Sequence, residues 1–326
     1  MKLPHRRKFL HLVAGAAALP AVSRVAGAQA YPTRPVRFIV PVAAGGSSDV
    51  AARAIGEYLS RTFGMQVYVE NRAGAGGVIG IEAAARSAPD GYTVLISTDR
   101  VASAPHVLKM SIDVIADLVP VVELSRQPVV LAVHSSLEIN SLSGLIAYAK
   151  QQQKLSYATG GGIGTQQHFV AEWFAKIADI KVEHVPYRGG GQAINDLIAG
   201  HVKVGSLGST PIIPHYKAGT LRVLAQSTEA RSPSLPEVPT FQEAGVKGLV
   251  LDQWIGVFVP RRTPPSITSR LNTEINKALA DATIRESLLQ QAQEPVGGTI
   301  EQFTRLVRAD FEKYARLIKE LNLKIE

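Results

Sequence analysis

A strand–turn–helix pattern early in the chain places the strongest constraint on the fold. An apolar run from Val36 to Pro41 is typical of a buried strand, and residues 43–49 form a turn with the sequence Ala-Ala-Gly-Gly-Ser-Ser-Asp. An alanine-rich helix follows, and Ser47, Ser48 or Asp49 is its predicted N-cap. A helix N-terminus favours an anion, and glycine lets a ligand come close to the backbone. The pattern predicts an anion site, although a tight turn without a ligand has the same features in any α/β protein.

The anion expected at this turn is a small carboxylate rather than a phosphate chain. The turn contains neither G-x-G-x-x-G nor G-x-x-x-x-G-K-[ST], the glycine patterns of nucleotide-binding loops. The candidate ligand-binding residues here are Ala43, Ala44, Gly45, Gly46, Ser47 and Asp49.

The same strand–turn–helix module recurs along the chain. In its first third the pattern alternates as βαβαβ, which favours a mainly parallel sheet with right-handed crossovers. A second set of units begins near Val129, and Trp254 to Val259 is predicted as a strand that returns to the first domain. The predicted class is therefore α/β, with two domains built on sheets flanked by helices. Ligands of such sheets bind at the carboxyl ends of strands, so the loop at 97–103, with Thr98, is a further candidate wall.

A glycine-rich loop at residues 159–165 is the expected partner of the first turn. It has the sequence Thr-Gly-Gly-Gly-Ile-Gly-Thr after a predicted strand, and Thr165 can cap the helix that follows. Two glycine-rich helix starts in two domains predict a ligand clamped between them, unless this loop is only a flexible connection. Arg188 can pair with a ligand carboxylate or form a structural ion pair. The candidates from this half are Thr159, Gly160, Gly161, Gly162, Gly164, Thr165, Arg188 and Ser206.

Composition and charge exclude several classes of protein. The 326 residues are 46% hydrophobic and contain no cysteine, which excludes thiolate metal sites, disulfides and cysteine catalysis. The eight histidines form no H-E-x-x-H or H-x-H pattern, so we expect neither a metal nor another cofactor. The formal net charge of +8 falls to +3 without residues 1–30, which hold five basic residues and no acid. This mild bias predicts no nucleic-acid partner and is compatible with attracting small anions.

The N-terminus predicts export. Two arginines, Arg6 and Arg7, precede an apolar run from Leu12 to Leu19, and a small-x-small cleavage site follows at residues 28–30. This is the pattern of a secretory signal of twin-arginine type, removed after Ala30. The alternative is a membrane anchor, but the apolar run is too short to span a bilayer.

Motifs spread over nearly the whole mature chain carry a resemblance to a known family. They lie at Tyr31–Pro41, Gly45–Gly46 with Asp49, Val69–Arg72, Pro89–Thr93, Asp117–Pro120, Ala147–Lys150, Val185–Gly189, Leu235–Thr240 and Glu243–Gly245. Together they resemble the Bug-type receptors, which are the periplasmic solute-binding proteins of tripartite tricarboxylate transporters.

The resemblance implies a type II periplasmic-binding-protein fold, with two lobes that close on the ligand like a Venus flytrap. It assigns residues 31–130 and 253–326 to lobe 1 and residues 131–252 to lobe 2. It implies a small carboxylate ligand (a dicarboxylate, tricarboxylate or aromatic carboxylate) held largely by backbone amides and bridging waters. It further implies a monomeric, non-catalytic periplasmic protein whose closed state docks on integral membrane subunits.

Two departures from the family pattern concern the ligand. After the third strand the family usually has a Gly-Thr-x-Gly-Thr-His-like turn, whereas residues 97–103 are Ser-Thr-Asp-Arg-Val-Ala-Ser. Here Arg100 can add a direct partner for a carboxylate, or Asp99 can neutralise it. Many members also carry an aspartate where Leu207 stands, and in amino-acid binders it can meet the ligand amine. Leu207 therefore favours a ligand without an amine.

Two other functions compete with this interpretation. An enzyme of the same shape, such as a hydrolase or isomerase, needs a nucleophile–base or acid–base pair in the cleft, and the sequence contains none with recognisable spacing. The Gly-Ser-Leu-Gly-Ser run around Ser206 is not the G-x-S-x-G of a nucleophile elbow. A sensor that presents its ligand to a membrane kinase would have the same sequence features as a transport receptor.

Overall fold

Ten strands join in one sheet in the computed structural model, which describes residues 31–321 and 323. The predicted signal peptide, residues 1–30, lies outside the described residues. The strands are β1 (Val36–Val40), β2 (Val67–Asn71), β3 (Thr93–Thr98), β4 (Leu118–His134), β5 (Leu155–Thr159), β6 (Val182–Pro186), β7 (Val204–Gly208), β8 (Leu221–Gln226), β9 (Asp252–Pro260) and β10 (Glu294–Gly297). Their order across the sheet is β2-β1-β3-β9-β4-β7-β5-β6, and both β8 and β10 pair with β4.

Helices connect these strands and cover the sheet. They are α1 (Ser47–Phe63), α2 (Val78–Ala85), α3 (Arg100–Ser103), α4 (Val114–Asp117), α5 (Leu142–Lys150), α6 (Gln166–Ala178), α7 (Gly190–Ile198), α8 (Ser209–Lys217), α9 (Pro265–Ala280), α10 (Ala282–Gln290) and α11 (Ile300–Leu321). Single 3₁₀ turns lie at Ala75–Gly77, Ala104–His106 and Ser135–Leu137. None of the helices in the described part of the chain is long and apolar enough to cross a membrane.

The predicted strand–turn–helix modules form two parallel parts of the sheet. Strand β1 lies parallel to β2 and β3, and β5 lies parallel to β6 and β7. Between these parts, β9 and β4 run antiparallel to each other and to their outer neighbours. The predicted α/β organisation is confirmed, and the sheet is mixed where β4 and β9 pass through it.

Strand β4 belongs to both halves of the sheet. Its residues Leu118 to Pro128 pair with β9, and from Val129 onward the same strand pairs with β7 and β8. The lobe boundary predicted after residue 130 lies close to this change of partner, and the one predicted after residue 252 lies at the start of β9. The division into lobes stays a prediction.

The C-terminal helices α9 and α11 pack apolar stripes into the core. In α9, Leu271 and Ile275 are fully buried, and in α11, Phe303 and Tyr314 are 2% and 0% exposed. The Phe303 ring meets the ring of Trp254 edge-on, with centroids 5.3 Å apart. Trp254 is therefore a core residue.

The start of α1 differs from the prediction. The N-cap is Gly46, in an extended conformation and without a side-chain cap, so the predicted serine or aspartate N-cap is wrong. Asp49 lies in the first turn of the helix and accepts a hydrogen bond from the backbone N–H of Gly45 at 3.0 Å. An acidic side chain that reaches back in this way satisfies a free N–H group at the helix start, as in a capping box. By contrast, the predicted cap of α6 by Thr165 is confirmed, since its hydroxyl accepts from the N–H of His168 at 3.3 Å.

Gly256→Ala should destabilise the protein, because a Cβ on this β9 residue would overlap the ring of the buried Phe303. Overpacking of this kind costs about 1–3 kcal/mol or more in free energy of unfolding.

Gly56→Ala is the matched control. A Cβ there, inside α1, would meet Val67 at an ordinary 3.5 Å, and the better helix propensity of alanine gives up to about 1 kcal/mol of stabilisation. Urea unfolding of both variants checks this, and equal effects would contradict it.

Candidate functional site

A small polar cavity lies where the two halves of the sheet meet. Its volume is ≈ 40 Å³, which is room for about three water molecules. One half supplies the starts of α1 and α3, and the other supplies the loop before α6 and the starts of α7 and α8. The lining residues are Val42, Gly46, Ser47, Ser48, Gly76, Thr98, Arg100, Gly160, Gly161, Thr165, Gln167, Gly190, Pro211 and Gln253.

Backbone segments of the two halves touch beside this cavity. The N–H of Ala43 donates a hydrogen bond to the carbonyl oxygen of Arg188 at 3.1 Å. A Cβ built on Gly189 would lie 3.0 Å from atoms of Ala43, and one on Gly160 would lie 2.7 Å from the backbone of Gly190. A contact of 2.7 Å is shorter than real Cβ atoms show, so the walls can come this close at Gly160 only because it is a glycine, and at Gly189 a Cβ would be tightly packed.

Asp49 braces the first turn and does not line the cavity. Its carboxylate accepts from the Gly45 N–H and from Arg53, and also from the side-chain amide of Asn71 at 2.9 Å. Burial alone would raise the pKa of Asp49, but the hydrogen bonds from Arg53 and Gly45 outweigh it and lower the pKa. The ionised carboxylate therefore fixes the turn on which Gly46 and Ser47 present their backbone to the cavity.

Side chains beneath the glycine-rich loop at residues 159–165 hold this loop in place. The Thr159 hydroxyl lies 2.7 Å from Nε2 of His184, and the Ser206 hydroxyl donates to the carbonyl of Gln167 at 2.7 Å. Nδ1 of His168 accepts from the Gly164 N–H at 3.2 Å. Burial lowers the pKa of His168 to about 3 and that of His184 to about 4, so both imidazoles are neutral at ordinary pH.

Arg100 is a buried cation whose two terminal nitrogens have no partner among the described residues. It is 3% exposed and begins α3 at the cavity wall. Its Nε donates to the carbonyl oxygen of Gly76 at 2.6 Å, whereas Nη1 and Nη2 make no hydrogen bond in the described structure. Burial lowers the pKa of Arg100 to about 10, so the guanidinium stays charged at neutral pH. A buried charge without a partner is costly, so the site favours an anion that completes it.

The neighbouring Asp99 does not form an ion pair with Arg100 in the described structure. Its Oδ2 accepts from the Tyr314 hydroxyl at 2.6 Å, and its Oδ1 is buried without a partner. Burial raises the pKa of Asp99 to about 7. This carboxyl is therefore partly protonated near neutral pH and compensates Arg100 only in part.

The structure brings six of the predicted site residues together around the cavity: Gly46, Ser47, Thr98, Gly160, Gly161 and Thr165. Thr159, Ser206 and Asp49 lie behind these residues as supports. Ala43, Ala44, Gly45, Gly162 and Gly164 belong to the same two loops without lining the cavity. Arg188 is exposed, forms no ion pair within the described residues and contributes its backbone carbonyl to the contact between the halves.

Several lining residues were not among the predicted candidates. Gly76 and Gly190 lie in two further glycine-rich turns of the sequence. Gln167, Pro211 and Gln253 carry no sequence signal, because they reach the cavity only through the packing of α6, α8 and β9. Leu207 is fully buried in the core and does not line the cavity. In the described part of the chain, no group of three or more His, Cys, Asp or Glu side chains could hold a metal ion.

Comparisons with known proteins agree on one family. The model for the tripartite tricarboxylate transporter family receptor matches residues 51–323. Protein BugT of Bordetella pertussis is 36% identical over 306 residues, which span 92% of this chain and 93% of BugT. The structure of the periplasmic binding protein BugD is 29% identical, with a TM-score of 0.86 over 90% of this chain and 99% of BugD. The R. palustris protein Rpa4515, solved with adipate, is 31% identical, with a TM-score of 0.87 over 90% of this chain and 99% of that chain.

Two α/β halves that meet across a polar, glycine-lined cavity, together with these structural matches, define a periplasmic solute-binding protein. The chain belongs to the receptor family of tripartite tricarboxylate transporters. Its family consists of solute-binding receptors rather than enzymes. The predicted family and the periplasmic-binding-protein fold are confirmed.

Asp99→Asn should stabilise the protein, and the gain should grow as the pH rises. Burial raises the pKa of Asp99 from 3.8 to about 7. The folded protein therefore holds a proton here that the unfolded chain releases, so this group makes stability fall from about pH 4 to about pH 7. Asparagine does not ionise, so the gain in free energy of unfolding should approach about 4 kcal/mol at about pH 8. Urea unfolding from about pH 5 to about pH 8 measures it.

Asp196→Asn is the control for this prediction. Hydrogen bonds from Tyr187 and His201 lower the pKa of the exposed Asp196, so its replacement should give no gain that grows with pH. If Asp99→Asn changes stability equally at both ends of the pH range, Asp99 is ionised throughout.

Proposed function

We propose that this protein is a periplasmic receptor that binds one small carboxylate between its two halves, with Arg100 as the direct partner of the carboxylate. The observation that carries the proposal is the buried guanidinium of Arg100, whose Nη1 and Nη2 lack partners in the described structure. A carboxylate has two oxygens and can accept both of these donors at once. The adipate bound to the related Rpa4515 supports a carboxylate ligand.

The backbone around Arg100 adds to the attraction for an anion. The helices α1, α6 and α7 begin at the cavity with Ser47, Gln166 and Gly190. Each helix N-terminus stabilises a negative charge by about 0.3–1 kcal/mol, and each charge-assisted hydrogen bond adds about 1.5–3 kcal/mol. A few such contacts give micromolar affinity, which corresponds to about −8 kcal/mol.

The ligand that fits this lining carries no amine. Among the described lining residues there is no Asp or Glu. Leu207, where the family resemblance implies an aspartate in many members, is buried in the core. An ammonium group placed here would face the charge of Arg100 without an acidic partner. We therefore favour malate-like or adipate-like acids, or aromatic carboxylates, over amino acids.

Binding between the halves suits a receptor that signals by closure. The contacts of Ala43 with Arg188 and Gly189 bring the halves within van der Waals distance beside the cavity. The halves therefore have to separate before a ligand enters. We assign lobe 1 to residues 31–130 and 253–326 and lobe 2 to residues 131–252, so that the hinge includes β4 and the start of β9.

We further propose that the protein does not convert its ligand. The cavity lining contains the hydroxyls of Ser47 and Ser48, but within the described lining no His, Asp, Glu or Lys is present to act as their base. The partners are then the integral membrane subunits for which the family is named. A monomer is sufficient, because both walls of the cavity come from one chain, and light scattering on residues 31–326 tests this state.

Arg100→Gln should weaken binding by at least about 30-fold, because loss of one partner of a buried charge pair costs about 2–5 kcal/mol. The measurement is calorimetry and thermal shift on residues 31–326 with malate, adipate, citrate and benzoate. Aspartate tests the amine, and adipamide tests the charge. A ligand at about 100 times its Kd stabilises the protein by about 2.7 kcal/mol.

Arg188→Gln is the matched control, since Arg188 is exposed and does not line the cavity. This variant should bind the carboxylates with the affinity of the original chain.

Thermal unfolding controls for misfolding of the Arg100→Gln variant. It should melt at the same temperature as the original chain or higher, because the substitution removes a buried charge that has no partner among the described residues. Equal affinity of Arg100→Gln and the original chain would exclude the proposed contact, and turnover of any bound acid would exclude a purely receptor function.

We infer that export depends on the arginine pair at residues 6 and 7. Arg6→Lys together with Arg7→Lys should strongly reduce the amount of mature protein in the periplasm, since a twin-arginine signal is read by its arginines. Cell fractionation and mass spectrometry of the mature N-terminus measure this, with cleavage expected after Ala30. Unchanged export of the double variant would indicate a general secretory signal instead.

A further inference from the structure

A second cavity lies beside α11. It shares no lining residue with the cavity between the two halves of the sheet. It is bounded by α4, the beginning of β4, the end of β9 and one face of α11. Its lining residues are Val114, Ile115, Leu118, Val119, Pro120, Phe258, Arg261, Thr304, Val307 and Arg308.

The floor of this cavity is apolar and has the size of one small ring. Val114, Leu118, Phe258 and Val307 are each at most 3% exposed. The volume is ≈ 150 Å³, about that of an apolar cavity that admits benzene. An apolar group of six or so carbons can therefore be buried here.

Two arginines border the same cavity without an acidic partner. Arg261 donates from Nη1 to the carbonyl of Ala116 at 3.3 Å, and neither Arg261 nor Arg308 forms an ion pair within the described residues. The two carboxylates of α4 and its cap, Asp113 and Asp117, accept hydrogen bonds from backbone N–H groups of the same segment. The cavity thus joins an apolar floor to two cations that the fold does not neutralise.

The turn that carries Arg261 is itself strained. Arg262 has a φ of 82°, which is uncommon for a residue with a side chain and costs free energy. This conformation lies between the last residue of β9 and the start of α9, where the backbone N–H of Arg261 donates to the carbonyl of Asp117 at 2.8 Å. The strained turn therefore holds Arg261 beside the cavity.

We propose that this cavity is a second binding site, which takes a small amphipathic carboxylate such as an aromatic or short aliphatic acid. The apolar body of the ligand fills the floor formed by Phe258 and Val307, and its carboxylate pairs with Arg261 and Arg308. The site is separate from the one beside Arg100, so a ligand can occupy it whether or not the first site binds the same acid.

The test uses 4-fluorobenzoate as the probe and ¹⁹F NMR of residues 31–326 as the measurement. The Arg100→Gln variant lacks the arginine of the first cavity. In this variant, saturable binding of the probe to the second cavity should remain at concentrations below about 10 mM. Arg261→Gln with Arg308→Gln in the same background should weaken this binding at least about 10-fold. Nuclear Overhauser contacts from the probe to the methyl groups of Ile115 and Val307 locate it.

Two matched controls separate charge and position. Arg305→Gln removes a charge from the same helix at a residue outside the cavity lining, and it should change the affinity less than about twofold. The neutral probe 4-fluorobenzyl alcohol has nearly the same shape and should bind at least about 10-fold more weakly than the acid. Both arginine side chains are exposed, so the variants should melt like their parent.

Three results would overturn the proposal. One is the absence of saturable binding in the Arg100→Gln background up to about 10 mM. Another is binding that the loss of Arg261 and Arg308 does not change. The third is equal affinity for the acid and the alcohol, which would indicate an apolar cavity without a carboxylate site. These results leave the first site untouched, since that site is tested by the effect of Arg100→Gln on the original chain.

Discussion

The antiparallel pairing of β4 with β9 is the constraint on which the rest of the structure depends. These two strands pair from Leu118 and Pro260 to Pro128 and Asp252, and β4 then continues into the other half of the sheet. They carry the chain between the two parallel parts and are almost entirely buried. Because both halves share β4, the carboxyl ends of β1, β3 and β5 face one cavity rather than two separate ones.

Within that frame, the first site is dominated by a balance of buried charge. Arg100 keeps its charge in a place where it lacks a full set of partners, and Asp99 beside it is only partly ionised near neutral pH. Under the function proposed above, a ligand carboxylate resolves this imbalance, so that part of its binding free energy comes from the uncompensated charge that folding leaves in the protein. The glycines opposite Arg100 allow the two halves of the sheet to come close together beside the cavity.

Particular elements show how far the sequence predicts the fold and the site. Alternation and glycine turns predicted the strand–turn–helix modules and the Thr165 cap, because these depend on neighbouring residues. The N-cap of α1 was wrong, since Gly46 takes that position and Asp49 acts from inside the helix. Of the lining residues, those on the two glycine-rich loops were predicted, whereas Gln167, Pro211 and Gln253 depend on contacts between distant elements.

The sequence by itself determined the α/β class, the two glycine-rich helix starts and, through its motifs, the receptor family. Each of these follows from local spacing of residue types or from motifs that lie in short segments. Only the tertiary structure decided that Arg100 is buried without an acidic partner among the described residues, that Asp99 bonds to Tyr314 instead, and that Arg188 stays at the surface. Burial and partner choice depend on long-range packing of β3, α3, α6 and α11, and it is this packing that sets the desolvation cost of each charge.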